Sequence, residues 1–233
     1  MPKDAKSISV ILPVHNEQAI LESQVFAMHG ALKSLGRRYE IVVVENGSTD
    51  RTPAICQELS QRYSEIRTIS SDRADYGAAL RDGILNARCE VVIIFNVEFW
   101  SFEFVSIALT ALETRSLVIG SKSAPGAHDD RPALRRLITK TYNGCLRLVW
   151  GFQGTDTHGM KAFHREEVVP VVLNCKCSGF VFDTELVLRC ERAGLRRLEL
   201  PTDVKELRAP SLTALLRRVP SVVRNLFVLW ESL

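Results

Sequence analysis

Val91-Val92-Ile93-Ile94-Phe95-Asn96-Val97-Glu98-Phe99-Trp100 decides how this chain is read. The run from Val91 to Phe95 has no polar alternation, so it predicts a strand covered on both faces, as at the centre of a parallel sheet. In open α/β sheets the carboxyl ends of such strands border the ligand crevice. Asn96 and Glu98 would stand there, an amide and a carboxylate two residues apart, as candidates for holding a metal or a phosphate.

Working outward, Gly77 to Ala87 reads as the helix that leads into this strand, and Phe102 to Glu113 as the helix that follows it. Leu117 to Gly120 is then another strand. Towards the N-terminus, Ile8 to Leu12 is a short apolar strand. Asn16 is expected to cap a helix along which Leu21, Val25, Met28, Leu32 and Leu35 recur at helical spacing. Ile41 to Val44 is a strand closed by Glu45-Asn46-Gly47-Ser48. Asp50 caps a further helix with Pro53 in its first turn, and Ile66 to Ile69 is a weaker strand. Strands alternating with crossover helices predict an α/β fold, Rossmann-like in outline, with a mostly parallel central sheet flanked by helices.

The second half changes character. Residues 121–131 are polar and read as a loop. Pro132 starts a helix with Arg136, Lys140, Asn143 and Arg147 on one polar stripe. Leu134, Ile138, Thr141, Cys145 and Val149 form the opposite stripe, expected to be buried. Gly154 to Phe163 is polar and punctuated by glycine. A helix from about Asp183 to Ala193 is closed by Gly194 and precedes a strand, Arg197 to Leu200. The chain divides into residues 1–211 as the main domain and 212–233 as a C-terminal amphipathic helix, docked or membrane-peripheral. That helix carries Leu212, Leu215, Leu216, Val219, Val222, Val223, Leu226, Phe227 and Trp230 alongside Arg217, Arg218 and Arg224, with Pro220 expected to interrupt it.

At 233 residues, with 46% hydrophobic and 24% charged side chains, the composition is that of an ordinary globular domain. A net charge of +3 is too small to argue for nucleic acid. The six cysteines sit in apolar or helical contexts with no secretory signal ahead of them, which predicts free thiols and a cytoplasmic location. Cys175 and Cys177 are a close pair, but zinc needs four ligands and no second pair stands nearby. No apolar run approaches the roughly 20 residues that cross a bilayer.

Four loops follow strands and gather at one sheet edge: Pro13 to Glu17, Glu45 to Asp50, Asp72 to Gly77, and Asn96 to Trp100. Carboxylates stand in all of them, a pattern suited to a nucleotide, although Glu17, Asp50 and Asp75 taken singly also fit as helix caps. No G-x-G-x-x-G follows the first strand and no P-loop appears, so phosphates would be held by a metal and basic side chains. The candidates for that grip are Lys122, Arg131, Arg135, Lys161 and Arg208.

Ser9 to Glu17 and Val42 to Asp50 resemble the two opening motifs of family 2 glycosyltransferases with the GT-A fold. Gly154-Thr155-Asp156-Thr157-His158-Gly159-Met160-Lys161-Ala162-Phe163 is similar to the D-T-x-x-G-F-K segment of polyprenyl-phosphate sugar transferases, which include the dolichyl-phosphate mannose and glucose synthases. Phe182-Asp183-Thr184-Glu185-Leu186 resembles their F-D-x-E-L, and Glu199-Leu200-Pro201 their E-V-P. Several motifs in one order along nearly the whole chain make the resemblance specific.

The resemblance implies an inverting transfer of a sugar from a UDP- or GDP-linked donor to a polyprenyl phosphate, with Mg2+ or Mn2+ as cofactor. Pro13, His15, Glu17, Glu45 and Asn46 fall where the family holds the nucleoside. Asn96 and Glu98 fall on its metal-binding D-x-D, and this departure removes one negative charge; Glu98 remains as a hard oxygen ligand. Glu45 also replaces an aspartate, and Asp75-Tyr76-Gly77 stands where the family often has G-K-G. A phosphate acceptor is already ionised near neutral pH and needs no general base, whereas a hydroxyl acceptor does. Asp156 is the first candidate for that base and His158 the second, with Glu185 expected to close the site or to pair within its helix. Two alternatives therefore stay open, a soluble hydroxyl acceptor and a nucleotide-sugar-binding relative without activity. A peripheral contact at the inner membrane face and an oligomer are also open.

Overall fold

A computed structural model describes residues 6–204 and 212–233, the side chains of 212–218 excepted. Arg208 and the side chains of Leu212, Leu215, Leu216, Arg217 and Arg218 therefore lie outside the described set. The elements run β1 Ile8–Val14, α1 Leu21–Ser34, β2 Tyr39–Asn46, α2 Thr52–Arg62, β3 Ile66–Ser71, α3 Tyr76–Asn86, β4 Val91–Ile94, α4 Phe102–Ala111 and β5 Leu117–Ser121. They continue with α5 Ala133–Trp150, β6 Lys161–His164, α6 Arg165–Leu173, α7 Val181–Arg192, β7 Arg197–Pro201 and α8 Leu212–Ser232.

The seven strands form one sheet in the order β3-β2-β1-β4-β6-β5-β7. All neighbours are parallel except β6, which runs antiparallel to both β4 and β5. Strands β1 to β5 and β7 therefore end at the same edge, and β6 begins there. Ile94, the last residue of β4, pairs with Lys161, the first of β6. That register brings the Gly154–Met160 segment beside Asn96 and Glu98.

Alternate strand residues enter opposite cores, as a sheet covered on both faces requires. Ile11, Val42, Val44, Val92 and Ile94 pack on the α3, α6 and α7 side. Val10, Leu12, Ile41, Val43, Val91 and Ile93 pack on the α1, α2 and α4 side.

Four expectations need correction. Asn16 does not cap α1, which begins at Leu21; it adopts a left-handed φ of 56° and bonds the Ser48–Thr49 turn instead. The Gly154–Phe163 stretch ends in a strand, β6, hidden in sequence because its four residues begin with Lys161 and end with His164. Pro220 lies inside a helix that is continuous from Leu212 to Ser232.

The largest reversal is α5. The stripe expected to be buried faces out: Leu134, Ile138, Thr141, Cys145 and Val149 are all exposed, and so are Leu137 and Leu148 beside them, Leu148 by 90%. Asn143 and Leu146 face the domain instead. The reason is the partner each face finds: Asn143 Nδ2 donates to the Thr155 carbonyl at 2.6 Å, and Arg147 to the Gly154 carbonyl at 3.1 Å. The C-terminal half of the polar stripe, Asn143 and Arg147, thus meets the backbone of the 154–155 turn, while Arg136 and Lys140 stay exposed. On α8 the expected apolar face divides. Leu229 is buried and Val222 and Leu226 pack against the core, while Val219, Val223, Phe227 and Trp230 are exposed. The two helices meet where Trp150 and Trp230 touch edge to face at 6.2 Å.

Candidate active site

The first two strand ends are laced together by polar side chains. His15 Nδ1 donates to the Asn46 carbonyl at 2.8 Å, and the Asn16 amide oxygen accepts from Thr49 N at 2.8 Å. Glu17 N donates to the buried Thr52 hydroxyl at 2.8 Å. Glu45 is buried and accepts from Ser48 N at 2.6 Å, closing the turn that Gly47 makes with φ of 63°. A Cβ at Gly47 would lie 3.0 Å from backbone atoms of Arg73 and Ala74, so the glycine also permits the third loop to approach. Asn46 Oδ1 completes the join by accepting from Asp75 N at 2.7 Å.

These contacts separate the carboxylates by role. Asp50 accepts from Thr52 N and Gln18 N, and Asp75 caps α3 through Ala78 N while also holding Gly179 N at 2.8 Å. Both act on backbone amides. Pro13 is buried within β1 and paired with Val44, so its part is to shape the strand end. His15 is exposed at the crevice mouth.

After β4, Val97 is buried while Asn96 and Glu98 on either side of it are exposed. A tight turn, with Phe99 N bonded to the Asn96 carbonyl at 2.9 Å, holds both at the tip. The Asn96 side chain also faces the Tyr76 hydroxyl at 3.5 Å. Tyr76 donates to Asp183 at 3.3 Å and stacks on Phe180 with ring centroids 5.3 Å apart. Burial, and then the Asp183 charge, raise its phenol well above the ordinary value, so Tyr76 is a neutral donor.

Beyond it, Lys161 and Asp183 form an ion pair of 2.7 Å, each 1% exposed. Lys161 also donates to the Gly159 carbonyl at 3.0 Å. Lys161 was expected to grip a phosphate; its ammonium is buried and committed to this pair instead. Glu185 is fully buried and accepts from Lys176 N, Cys177 N and Arg189, which ties down the 175–178 loop and leaves it no part in closing the site.

Asp156, 1% exposed, is paired with Lys122 and accepts from His158 N at 3.0 Å. Burial opposes its ionisation, but the Lys122 ammonium and His158 outweigh burial and hold the carboxyl below its ordinary range. His158 Nε2 donates to the Phe180 carbonyl at 3.1 Å, and its Nδ1 then accepts from the Thr157 hydroxyl at 2.9 Å. Burial pushes its pKa down, so the ring is neutral at pH 7. Both nitrogens of His158 and both oxygens of Asp156 are therefore occupied. Arg131 is clamped on Asp129 by bonds of 2.8 and 2.7 Å, and Arg135 is half-buried in the first turns of α5. The structure thus gathers His15, Glu45, Asn46, Asn96, Glu98 and the Lys122–Asp156 pair at one edge. It commits Lys161, Glu185 and Arg131 to internal partners.

Sequence reasoning missed Tyr76 and Phe180 and gave Asp183 no role.

Profile comparison matches the description "Glycosyl transferase family 2" to residues 9–169, from the first strand through the Gly154–Phe163 segment. The chain belongs to this family. Among curated relatives it is 30% identical over 204 residues to "Glycosyltransferase AglD" of Haloferax volcanii, covering 84% of this chain and 32% of the relative. It is 26% identical over 225 residues to "Dolichyl-phosphate beta-glucosyltransferase" of Saccharomyces cerevisiae, covering 86% and 67%. It is 28% identical over 179 residues to "Undecaprenyl-phosphate 4-deoxy-4-formamido-L-arabinose transferase" of Edwardsiella ictaluri, covering 74% and 53%. The chain thus spans between a third and two thirds of these relatives' own lengths. Among solved structures, glucosyl-3-phosphoglycerate synthase from Mycobacterium tuberculosis, in complex with Mn2+, UDP and phosphoglyceric acid, superposes with a TM-score of 0.71. At 21% identity, over 97% of this chain and 78% of that one, this shows the GT-A fold alone.

The residues at the β4 tip fit a hard divalent cation in one way. Among the described residues no three His, Cys, Asp or Glu side chains gather as a cage. Glu98 and Asn96 offer one carboxylate and one amide oxygen, both exposed. Mg2+ and Mn2+ accept such a partial shell when phosphate oxygens and water complete it. The protein's share suits a cation that arrives with a diphosphate.

Proposed function

We propose that this chain is an inverting glycosyltransferase that moves a sugar from a nucleoside-diphosphate donor to a lipid-borne phosphate, a polyprenyl phosphate. Family membership supports the transfer, and the relatives named for dolichyl and undecaprenyl phosphate support the acceptor. One observation on this chain supports the choice of acceptor: Asp156 and His158, the two groups a hydroxyl acceptor would use as base, are both engaged by internal partners, Asp156 by the Lys122 ammonium and His158 N, and His158 through both ring nitrogens. An ionised phosphate needs no such base.

In this reading the nucleoside lies across the His15–Asn46 join, and the diphosphate lies over the β4 tip. Glu98, with Asn96, would hold a Mg2+ or Mn2+ ion, which when bound neutralises charge building on the departing diphosphate. The chain's own contribution is alignment. The laced loops keep donor and acceptor in line, so the acceptor oxygen reaches the face of the anomeric carbon opposite the leaving group and inverts it. The Lys122–Asp156 pair fixes the floor beneath. Among the described residues no helix is long and apolar enough to cross a membrane. The exposed stripes of α5 and α8 support a peripheral contact, placed here at the cytoplasmic membrane face.

The test is binding and turnover of UDP- and GDP-sugars with Mn2+, with Glu98→Gln as the probe. The expected result is donor binding by the wild type that depends on the cation, and at least a hundredfold lower turnover in the variant, on the scale of removing one transition-state charge contact. A wild type that binds donor yet turns over none with any polyprenyl phosphate would favour the binding-protein alternative. An unaltered variant would remove Glu98 from the chemistry.

A further inference from the structure

Large exposed apolar side chains are concentrated on this molecule. Of the fourteen among the described residues, nine stand on α5 and α8. On the rim of the α8 stripe, a cleft of about 430 Å³ opens between that helix and the 175–179 loop. Lys176 and Arg224 stand at its walls with the hydroxyls of Ser178 and Ser221, and no carboxylate lines it. Among the described residues neither cation forms an ion pair.

The walls are built rather than incidental. Glu185 anchors the loop through Lys176 N at 2.8 Å and Cys177 N at 2.6 Å. Asn225 reaches across from α8, accepting from Ser178 N at 2.9 Å and donating to the Ser221 carbonyl at 2.9 Å. The Ser178 hydroxyl donates to Asn225 Oδ1 at 3.2 Å and so belongs to the wall; two cations and the Ser221 hydroxyl around a fixed concavity match the oxygens of a phosphate group. The cleft is separate from the donor crevice, because the 175–180 loop turns one side to Asp75 and Tyr76 and its other side to α8.

We propose that this cleft binds the headgroup phosphate of a bilayer lipid and so fixes the pose in which α5 and α8 lie on the membrane. The occupant follows from position. Arg224 directly follows exposed Val223 and lies three residues before Phe227, which is 68% exposed. Apolar side chains of an interfacial helix enter the acyl boundary, and the layer immediately above it is the phosphate layer. A cationic cleft on the rim of such a stripe sits at that depth. The inference rests on the reading that this chain acts on a lipid acceptor, but it concerns a site distinct from that acceptor's reactive phosphate.

The test is co-sedimentation of the full chain with phosphatidylcholine vesicles carrying phosphatidic acid. Lys176→Gln and Arg224→Gln should each weaken binding about fivefold, the scale of one cation at an anionic surface. Ser221→Trp, which fills the cleft and removes no charge, should weaken it by a similar factor; binding as tight as wild type would reduce the cleft to general surface charge and overturn the proposal. Inorganic phosphate that raises the melting temperature of a chain showing no preference for phosphatidic acid would assign the cleft to a soluble phosphate, and likewise overturn it. A chain that forms a dimer through these helices and binds no vesicle would do the same. UDP-sugar binding with Mn2+, measured on the same proteins, keeps the two readings apart. Loss of vesicle binding with donor binding intact speaks to the cleft alone, whereas a wild type that binds no donor fails the enzyme reading.

Discussion

Replacing Asp183 by asparagine keeps the shape of that side chain and removes its charge, leaving the Lys161 ammonium 1% exposed with the Gly159 carbonyl as its main partner. Breaking a buried pair from one side costs about 3–5 kcal/mol, because the surviving charge stays desolvated. Against a total stability of order 5–15 kcal/mol this is a large fraction. Lys161→Met should cost a comparable amount by stranding the carboxylate, which then keeps only the 3.3 Å bond from Tyr76. The double variant Lys161→Met/Asp183→Asn removes both charges at once and should be more stable than the two single changes imply, with a coupling of about 2–3 kcal/mol. Urea denaturation of the four proteins, followed by circular dichroism, closes the cycle. A cost below about 1 kcal/mol for Asp183→Asn, or simple additivity in the double variant, would refute the reasoning, because either result means that water reaches the pair.

The remaining predictions draw on other parts of the site. A Cβ at Gly159 would lie 1.6 Å from the Gly120 carbonyl oxygen, so Gly159→Ala must force β5 from β6; it should cost about 3 kcal/mol or more and be read as a collapse of the melting temperature. His158 has a depressed pKa in the folded chain, so the unfolded chain binds its proton first and stability falls as pH drops below about 6.5. The slope is at most one proton and flattens in His158→Gln, while the depressed carboxyls of Asp156 and Asp129 act only at lower pH, below their unfolded values. Melting curves at successive pH values would show equal slopes in the two proteins if the reasoning were wrong. Leu148, 90% exposed, contributes little to the fold; Leu148→Glu should change stability by no more than about 0.5 kcal/mol yet reduce vesicle binding, and a loss of stability instead would mean that the Leu148 face of α5 is covered in the folded chain.

Five of the six thiols are buried, as their apolar contexts predict, while Cys145, on the α5 stripe expected to be buried, is exposed. Burial pushes Cys175 and Cys190 up to about 12, consistent with free and inert thiols in apolar surroundings. The β4 run was legible for the same reason: a strand buried on both faces must be apolar without interruption, whatever its neighbours. Asn96 and Glu98 at its end were legible because a parallel strand leaves its tip at the crevice. β6 was not, since a four-residue strand between two polar ends owes its pairing to β4 and β5 rather than to its own composition.

Sequence by itself determined the alternation of strands and crossover helices from β1 to β5, the edge at which the polar loops collect, and the residues at the β4 tip. These follow from local hydrophobic pattern and chain direction. The tertiary structure decided which charged groups face the crevice and which are spent inside it. Lys161, Glu185, Asp156 and Arg131 look alike in sequence as candidates for phosphate or proton work, and each was assigned by a partner that lies distant in the chain or across a turn. The face of α5 was decided the same way. A hydrophobic period of 3.6 tells that a helix has two unlike sides; only the carbonyls of Gly154 and Thr155, waiting beside Asn143 and Arg147, determine which side turns inward.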